Sequence, residues 1–148
     1  MLQDTKFPLR IFSTGCPNLD QILGGGLYTK EITEFVGGTA VGKTQMCLTA
    51  ISHIAGVLNS EVLFIDSGSS GCLGRLMQIY NSHGIPRSED EKRAFLSRIE
   101  IYQAFDIFDL VKKLEQYRES PRNQVSLVVI DSFASIVSPV LGGSQFQG

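Results

Sequence analysis

The sequence predicts an α/β fold, a parallel sheet with helices on its flanks. Three observations carry that expectation. Short runs rich in Val, Ile, Leu and Phe alternate with longer stretches of helical period, the pattern of strand–helix–strand crossovers. The two most apolar runs are EVLFID at 61–66, apolar through its middle as a strand covered on both faces is, and VSLVVID at 125–131. The 15 glycines also gather in a few places, above all at 24–26 and 37–42, where they punctuate the elements.

Taken in order, residues 1–12 show no clear period and read as an arm or linker before a core at 13–148. Pro17 stands in the first turn of a short helix, where its missing N–H costs little. Leu19, Ile22 and Leu23 give that helix an apolar stripe, and Gly24-Gly25-Gly26 stops it. Glu31 to Val36 is rich in β-branched and aromatic residues and reads as the first strand. From Lys43 to Leu58, Cys47, Ala50, Ile51, Ile54 and Leu58 follow helical spacing.

Glu61 to Asp66 is the second strand, followed by a helix from Leu73 to Ser82 that Gly84 and Pro86 end. Ser88 with Glu91 three residues later is a capping box for a further short helix. Arg98 to Gln103 alternates as a third strand. Asp106 opens a helix with Ile107, Leu110, Val111, Leu114 and Tyr117 on one stripe, and Val125 to Asp131 is the fourth strand.

Composition bounds the function classes. With 148 residues, 43% of them apolar and 19% charged, the chain can bury one sizeable core. A net charge of −2 argues against binding nucleic acid through bulk positive charge. No apolar run reaches the roughly 18 residues that a membrane-crossing helix needs, so no membrane partner is expected. Cys16, Cys47 and Cys72 are odd in number and far apart, which fits neither a disulfide framework nor a zinc site. His53 and His83 have no ligand partner at metal spacing and read as structural or exposed.

The chemistry concentrates in Gly37-Gly38-Thr39-Ala40-Val41-Gly42-Lys43-Thr44, a full G-x-x-x-x-G-K-T between a strand-like and a helix-like segment. Small residues let the backbone wrap a phosphate with its N–H groups turned inward, and the helix after Gly42 adds the positive end of its dipole. Lys43 supplies a cation for the β- and γ-phosphates of ATP, and the Thr44 hydroxyl is a ligand for Mg²⁺. The bland alternative is a glycine-rich turn that caps a helix. Asp131 ends an apolar strand, where a carboxylate orients Mg²⁺ opposite the loop threonine. Lys43 and Asp131 are therefore the candidate catalytic pair, and Thr44 and Asp131 the candidate metal ligands. Asp66 ends another strand and is a candidate lining residue, and Arg75 and Arg87 are candidate nucleotide contacts. The Glu89–Arg93 charge run reads as a solvated helix face.

Ser13-Thr14-Gly15, then Leu19 to Leu27 (LDQILGGGL), then Glu31-Ile32-Thr33-Glu34 running into the phosphate loop, resemble the core of the RecA-like recombinases of eukaryotes. GLYTKEITEFVGG at 26–38, AFDIF at 104–108 and SPVLGG at 138–143 are most similar to the D-type paralogues of the strand-exchange recombinase. The resemblance covers about residues 11–148. It implies a P-loop NTPase fold of RecA-like type and a nuclear, ATP-binding protein of homologous-recombination DNA repair. Such a protein binds single-stranded or branched DNA and joins other recombinase paralogues in a hetero-oligomer that helps the recombinase filament assemble. Two features depart from the family. Active members carry a glutamate two residues after the Asp that ends the second strand, where it positions water; here that place is Gly68. The resemblance therefore implies a DNA-dependent ATPase type with weak or partner-dependent hydrolysis. Gly142-Gly143-Ser144 resembles the start of the first DNA-binding loop, so the expected core is truncated at its C-terminal side, and the family's N-terminal helical domain is not in this sequence.

Two other classes fit the phosphate loop. A small P-loop kinase would need a lid and an acceptor site, and no arginine-rich lid segment follows the loop. An interaction module with a vestigial nucleotide site would be free to lose Lys43 and Thr44, which are both present.

Overall fold

The computed structural model of the chain describes residues 8–68, 71–82, 86–119 and 125–142. Its centre is a parallel sheet of β3 (Glu61–Asp66), β4 (Ile99–Gln103) and β5 (Val125–Asp131), in the order β4-β3-β5. β3 is the middle strand, and Val62, Leu63, Phe64 and Ile65 are at most 1% exposed. Alternation sends these side chains to two different cores. Val62 and Phe64 join Leu48, Ile51, Leu76 and Phe95 on the face covered by α2 (Lys43–Gly56), α3 (Cys72–Asn81) and α4 (Glu89–Ser97). Leu63 and Ile65 join Ala104, Leu110 and Ile136 on the face covered by α5 (Ile107–Glu119) and α6 (Phe133–Leu141). A strand buried on both sides must be apolar at every position, which is why EVLFID lacks a polar alternate.

Three of the four expected strands form. Glu61–Asp66 and Val125–Asp131 have the expected bounds, and the third begins at Ile99. Helices stand where the spacing placed them, and Ser88 and Glu91 make the reciprocal capping box that opens α4.

Glu31 to Val36 does not form a strand. No described strand lies beside it, and Ile32 and Val36 are 99% and 84% exposed. β-branched composition only favours a pleated, half-buried surface. Without a ladder partner for its N–H and C=O groups, and without a face to bury, the segment is left to water. β5 likewise pairs along one edge only among the described residues, with β3.

Three further elements lay outside the sequence reading. Ile11 and Phe12, the end of the expected arm, form β1 (Ile11–Phe12) and pair antiparallel with β2 (Leu27–Tyr28). The ribbon closes over Gly26, whose φ is 136° and where a Cβ would lie 2.3 Å from the Phe12 carbonyl oxygen. Only glycine fits there. α6 is capped by Ser132, whose hydroxyl accepts from the Ser135 N–H at 3.3 Å. The SPVLGG run falls partly in this helix; its end, from Gly143 onward, lies outside the described residues, as does His83.

α1 (Pro17–Ile22) forms as expected, but its apolar stripe does not bury, and Ile22 is 81% exposed. Hydrogen bonds hold it instead. The Asp20 carboxylate accepts from the Ser13 hydroxyl at 2.6 Å, the Thr14 N–H at 2.8 Å and the Thr14 hydroxyl at 2.6 Å. Burial works against ionisation of Asp20, but these bonds and the nearby His53 outweigh it and hold the carboxyl below its ordinary range.

Candidate functional site

The site lies at the carboxyl ends of the strands, where open parallel sheets place their ligands. Parallel pairing puts Asp66 and Asp131 directly side by side, because Ile65 faces Ile130 one step earlier. Gln103 flanks Asp66 on the other side, so the row across the sheet top runs Gln103, Asp66, Asp131. Ser67 clamps two of these ends together. Its hydroxyl donates to the Ser132 carbonyl at 3.1 Å and accepts from the Ser132 N–H at 2.8 Å, while its own N–H donates to the Asp131 carbonyl. Asp66 folds back on the next turn, with Oδ1 accepting from the Gly68 N–H at 2.8 Å. Gln103 Nε2 donates to the Gly68 carbonyl at 3.0 Å and fixes the turn from outside.

The glycine-rich stretch leads into α2. Gly42, with φ 96°, is the left-handed residue before the helix, and Ala40 adopts φ 61°. A chain reversal of this kind aims successive N–H groups at one point. Lys43 Nζ donates to the carbonyls of Gly37 and Gly38 at 2.9 and 2.6 Å, so the ammonium lies across the start of its own loop.

Two clefts adjoin here. One, of about 300 Å³, is lined by Ala40, Gly42, Lys43, Thr44, Gln45, Leu48 and Arg75. The other, of about 410 Å³, brings Thr44 and Arg75 together with Asp66, Gly68, Cys72, Asp131, Ser132 and Ser135. Thr44 and Asp131, the two candidate metal ligands, therefore line one space. Gly37 and Gly38 meet the site through their carbonyls on Lys43. Thr39 and Val41 line neither cleft, and Val41 is 60% exposed.

The two candidate arginines part company. Arg75 lines both clefts, with Nε donating to Gln45 Oε1 at 2.9 Å and Nη1 to Gln78 Oε1 at 3.1 Å. Arg87 lines neither; it lies over the Tyr80 ring at 5.0 Å and pairs with Glu91 at 3.6 Å. Cys47 and Cys72 stand near the carboxylates, which together with burial oppose their ionisation. Burial and the Asp131 charge push Cys47 up to about 11, and burial and the Asp66 charge raise Cys72.

The donor set suits an anion with its cation. Small residues and a helix N-terminus offer N–H groups to phosphate, and a hydroxyl facing a carboxylate suits a hard cation that takes its other ligands from phosphate and water. No group of three or more His, Cys, Asp or Glu side chains assembles for a metal among the described residues. No described helix is long and apolar enough to cross a membrane.

Sequence reasoning missed Ser67, Ser132, Ser135, Gln103 and the Gln45–Arg75 contact. Ser132 was the one with a local signal, as a capping residue three before a serine at the start of an apolar run.

Comparison with known proteins gives the family of the chain. The family model described as Rad51 matches residues 7–141. The protein named DNA repair protein RAD51 homolog 4 from Bos taurus is 39% identical, over all of this chain and 47% of its own length. Its namesake from Mus musculus is 36% identical, over all of this chain and 46% of its own. The probable DNA repair protein RAD51 homolog 4 of Dictyostelium discoideum is 30% identical over 93% of this chain and 50% of its own. The chain spans about half the length of the curated relatives it matches.

Proposed function

Because this chain belongs to the Rad51 family, we propose that it is an ATP-binding recombinase paralogue of D type, acting in homologous-recombination DNA repair. The reading places it in the nucleus, where it joins other recombinase paralogues on single-stranded or branched DNA and assists filament assembly. Identity to two proteins named RAD51 homolog 4 supports the D-type assignment.

The observation that carries nucleotide binding is the shared space. The loop residues Gly42, Lys43 and Thr44 open into a cleft that continues, through Thr44 and Arg75, to Asp131. Phosphates of ATP are held by the N–H groups of 37–44 and by Lys43, whose ammonium exchanges the Gly37 and Gly38 carbonyls for phosphate oxygen. Thr44 and Asp131 are the residues to hold Mg²⁺, which supplies charge to offset the phosphate oxygens. Asp131 is kept in place by the Ser67 clamp on its backbone.

Turnover is a separate matter. Gly68 has no side chain to orient water, and the nearest carboxylate, Asp66, already accepts from the Gly68 N–H. A positioned base contributes about 10²- to 10⁴-fold in rate. The site therefore binds without fast hydrolysis, and the protein works as a nucleotide-gated assembly element.

Calorimetric titration with Mg-ATP tests the binding, with Lys43→Ala expected to weaken it at least tenfold at unchanged thermal stability. Equal affinity in Lys43→Ala refutes the site. Single-turnover hydrolysis with single-stranded DNA tests the second half, and a rate matching an active recombinase refutes it. Gly68→Glu gives the gain-of-function arm. The backbone at Gly68 is not in the left-handed region, and a Cβ there would lie 3.3 Å from Asp66 Oδ1, so a modest shift of that carboxylate admits the new side chain.

A further inference from the structure

We propose that Gln45 and Gln78 are positioning residues that fix the Arg75 guanidinium across the junction of the two clefts, where it meets a bound nucleoside triphosphate. The proposal rests on the nucleotide reading above and adds how one of its cations is held.

Among the described residues Arg75 is the single cationic side chain shared by both clefts, and it comes from α3, not from the loop. An arginine reaching from a helix surface has several free rotors, and ordering them on binding would subtract from affinity. Here the ordering is done in advance. Nε donates to Gln45 Oε1 and Nη1 to Gln78 Oε1, so two amide oxygens hold two nitrogens of one rigid plane. Three of the five guanidinium N–H bonds stay available, together with both flat faces.

The tethers come from different places. Gln45 follows Thr44 in the first turn of α2, so the backbone that shapes the phosphate cradle also sets the acceptor for Arg75. Gln78 lies one turn beyond Arg75 on α3 and lines neither cleft. That makes Gln78 the cleaner probe: its side chain reaches the clefts through its bond to Arg75 and lines neither of them. Neutral amides also leave the arginine charge uncancelled, which a glutamate at either position would not.

The experiment is a double-mutant cycle on the 148-residue chain, with Mg-ATP affinity read by titration calorimetry. Arg75→Ala is expected to weaken binding by about three- to tenfold, and Gln45→Ala and Gln78→Ala by about two- to fourfold each. In an Arg75→Ala background, Gln78→Ala should change nothing further. A second measurement needs no nucleotide: the Arg75 Nε–Hε NMR signal should report a rigid side chain in the parent and a mobile one in Gln45→Ala. Unchanged affinity in Gln78→Ala, or an equal loss with and without Arg75, overturns the proposal, as does a mobile Arg75 in the parent. A parent chain that fails to bind Mg-ATP overturns the nucleotide reading and this proposal with it; a parent that binds while the variants match it overturns the tether alone.

Discussion

Two segments of similar composition end in opposite states. Glu61–Asp66 and Glu31–Val36 both begin with glutamate and carry β-branched and aromatic residues, yet the first is the most buried strand of the molecule and the second is bare to water. What separates them is neighbours. β3 has a parallel partner along each edge and helices over each face, whereas Glu31–Val36 has no strand beside it among the described residues. Strand propensity names candidates, and pairing with burial chooses among them. The contrast also divides the candidate site: Asp66 ends the buried segment, and the glycine-rich loop hangs from the bare one.

The largest expected effect breaks the comparison if it fails. Phe64→Ala removes a ring that is 1% exposed and should cost about 3–5 kcal/mol, whereas Ile32→Ala should stay within about 0.5 kcal/mol. Urea unfolding of both variants reads this directly, and similar costs would mean that Ile32 is packed in solution. Next in size, Mg-ATP at about 100 times its Kd should add about 2.7 kcal/mol. Hydrogen exchange should locate the new protection at 37–44 rather than in β3, which is closed already. Protection spread evenly over both segments would remove the distinction between them.

A smaller effect concerns Asp20, the hydrogen-bonded hub at the head of the approach to the loop. Its carboxyl is lowered in the folded chain, so its contribution is present above the ordinary carboxylate range and is lost as pH falls through the folded value. Asp20→Asn should cost on the order of 1 kcal/mol at pH 7 and show a flatter stability profile than the parent as pH falls below the ordinary carboxylate range. Parallel profiles for the two proteins would rule out ionised Asp20 as the acceptor that holds α1.

Much of the layout was legible because periodicity and punctuation are local. Ser88 and Glu91 needed only each other to cap α4, and EVLFID declared its two-sided burial by lacking polar alternates. The glycine-rich motif at 37–44 stood out for the same reason, its spacing being contained within eight residues. Features joining distant segments were not. The Ser67 clamp on Ser132 spans 65 residues, and the Arg75 tether to Gln45 spans 30. Nor could the sequence decide that Ile22 would stay outside while Asp20 did the holding, since the stripe and the hydrogen-bond hub occupy the same short helix. The β1–β2 ribbon hid for lack of length, with two residues to a side.

The order of strands in the sheet differs from their order in time. β3, the middle strand, leaves the ribosome first of the three, and its second partner ends at a residue 65 positions later, as Asp131 stands to Asp66. At about 5–20 residues per second, roughly 3–13 s pass before Val62 to Ile65 have both flanks complete. For that interval the segment destined for deepest burial is the stickiest thing in the nascent chain, and its safekeeping belongs to whatever binds emerging polypeptide.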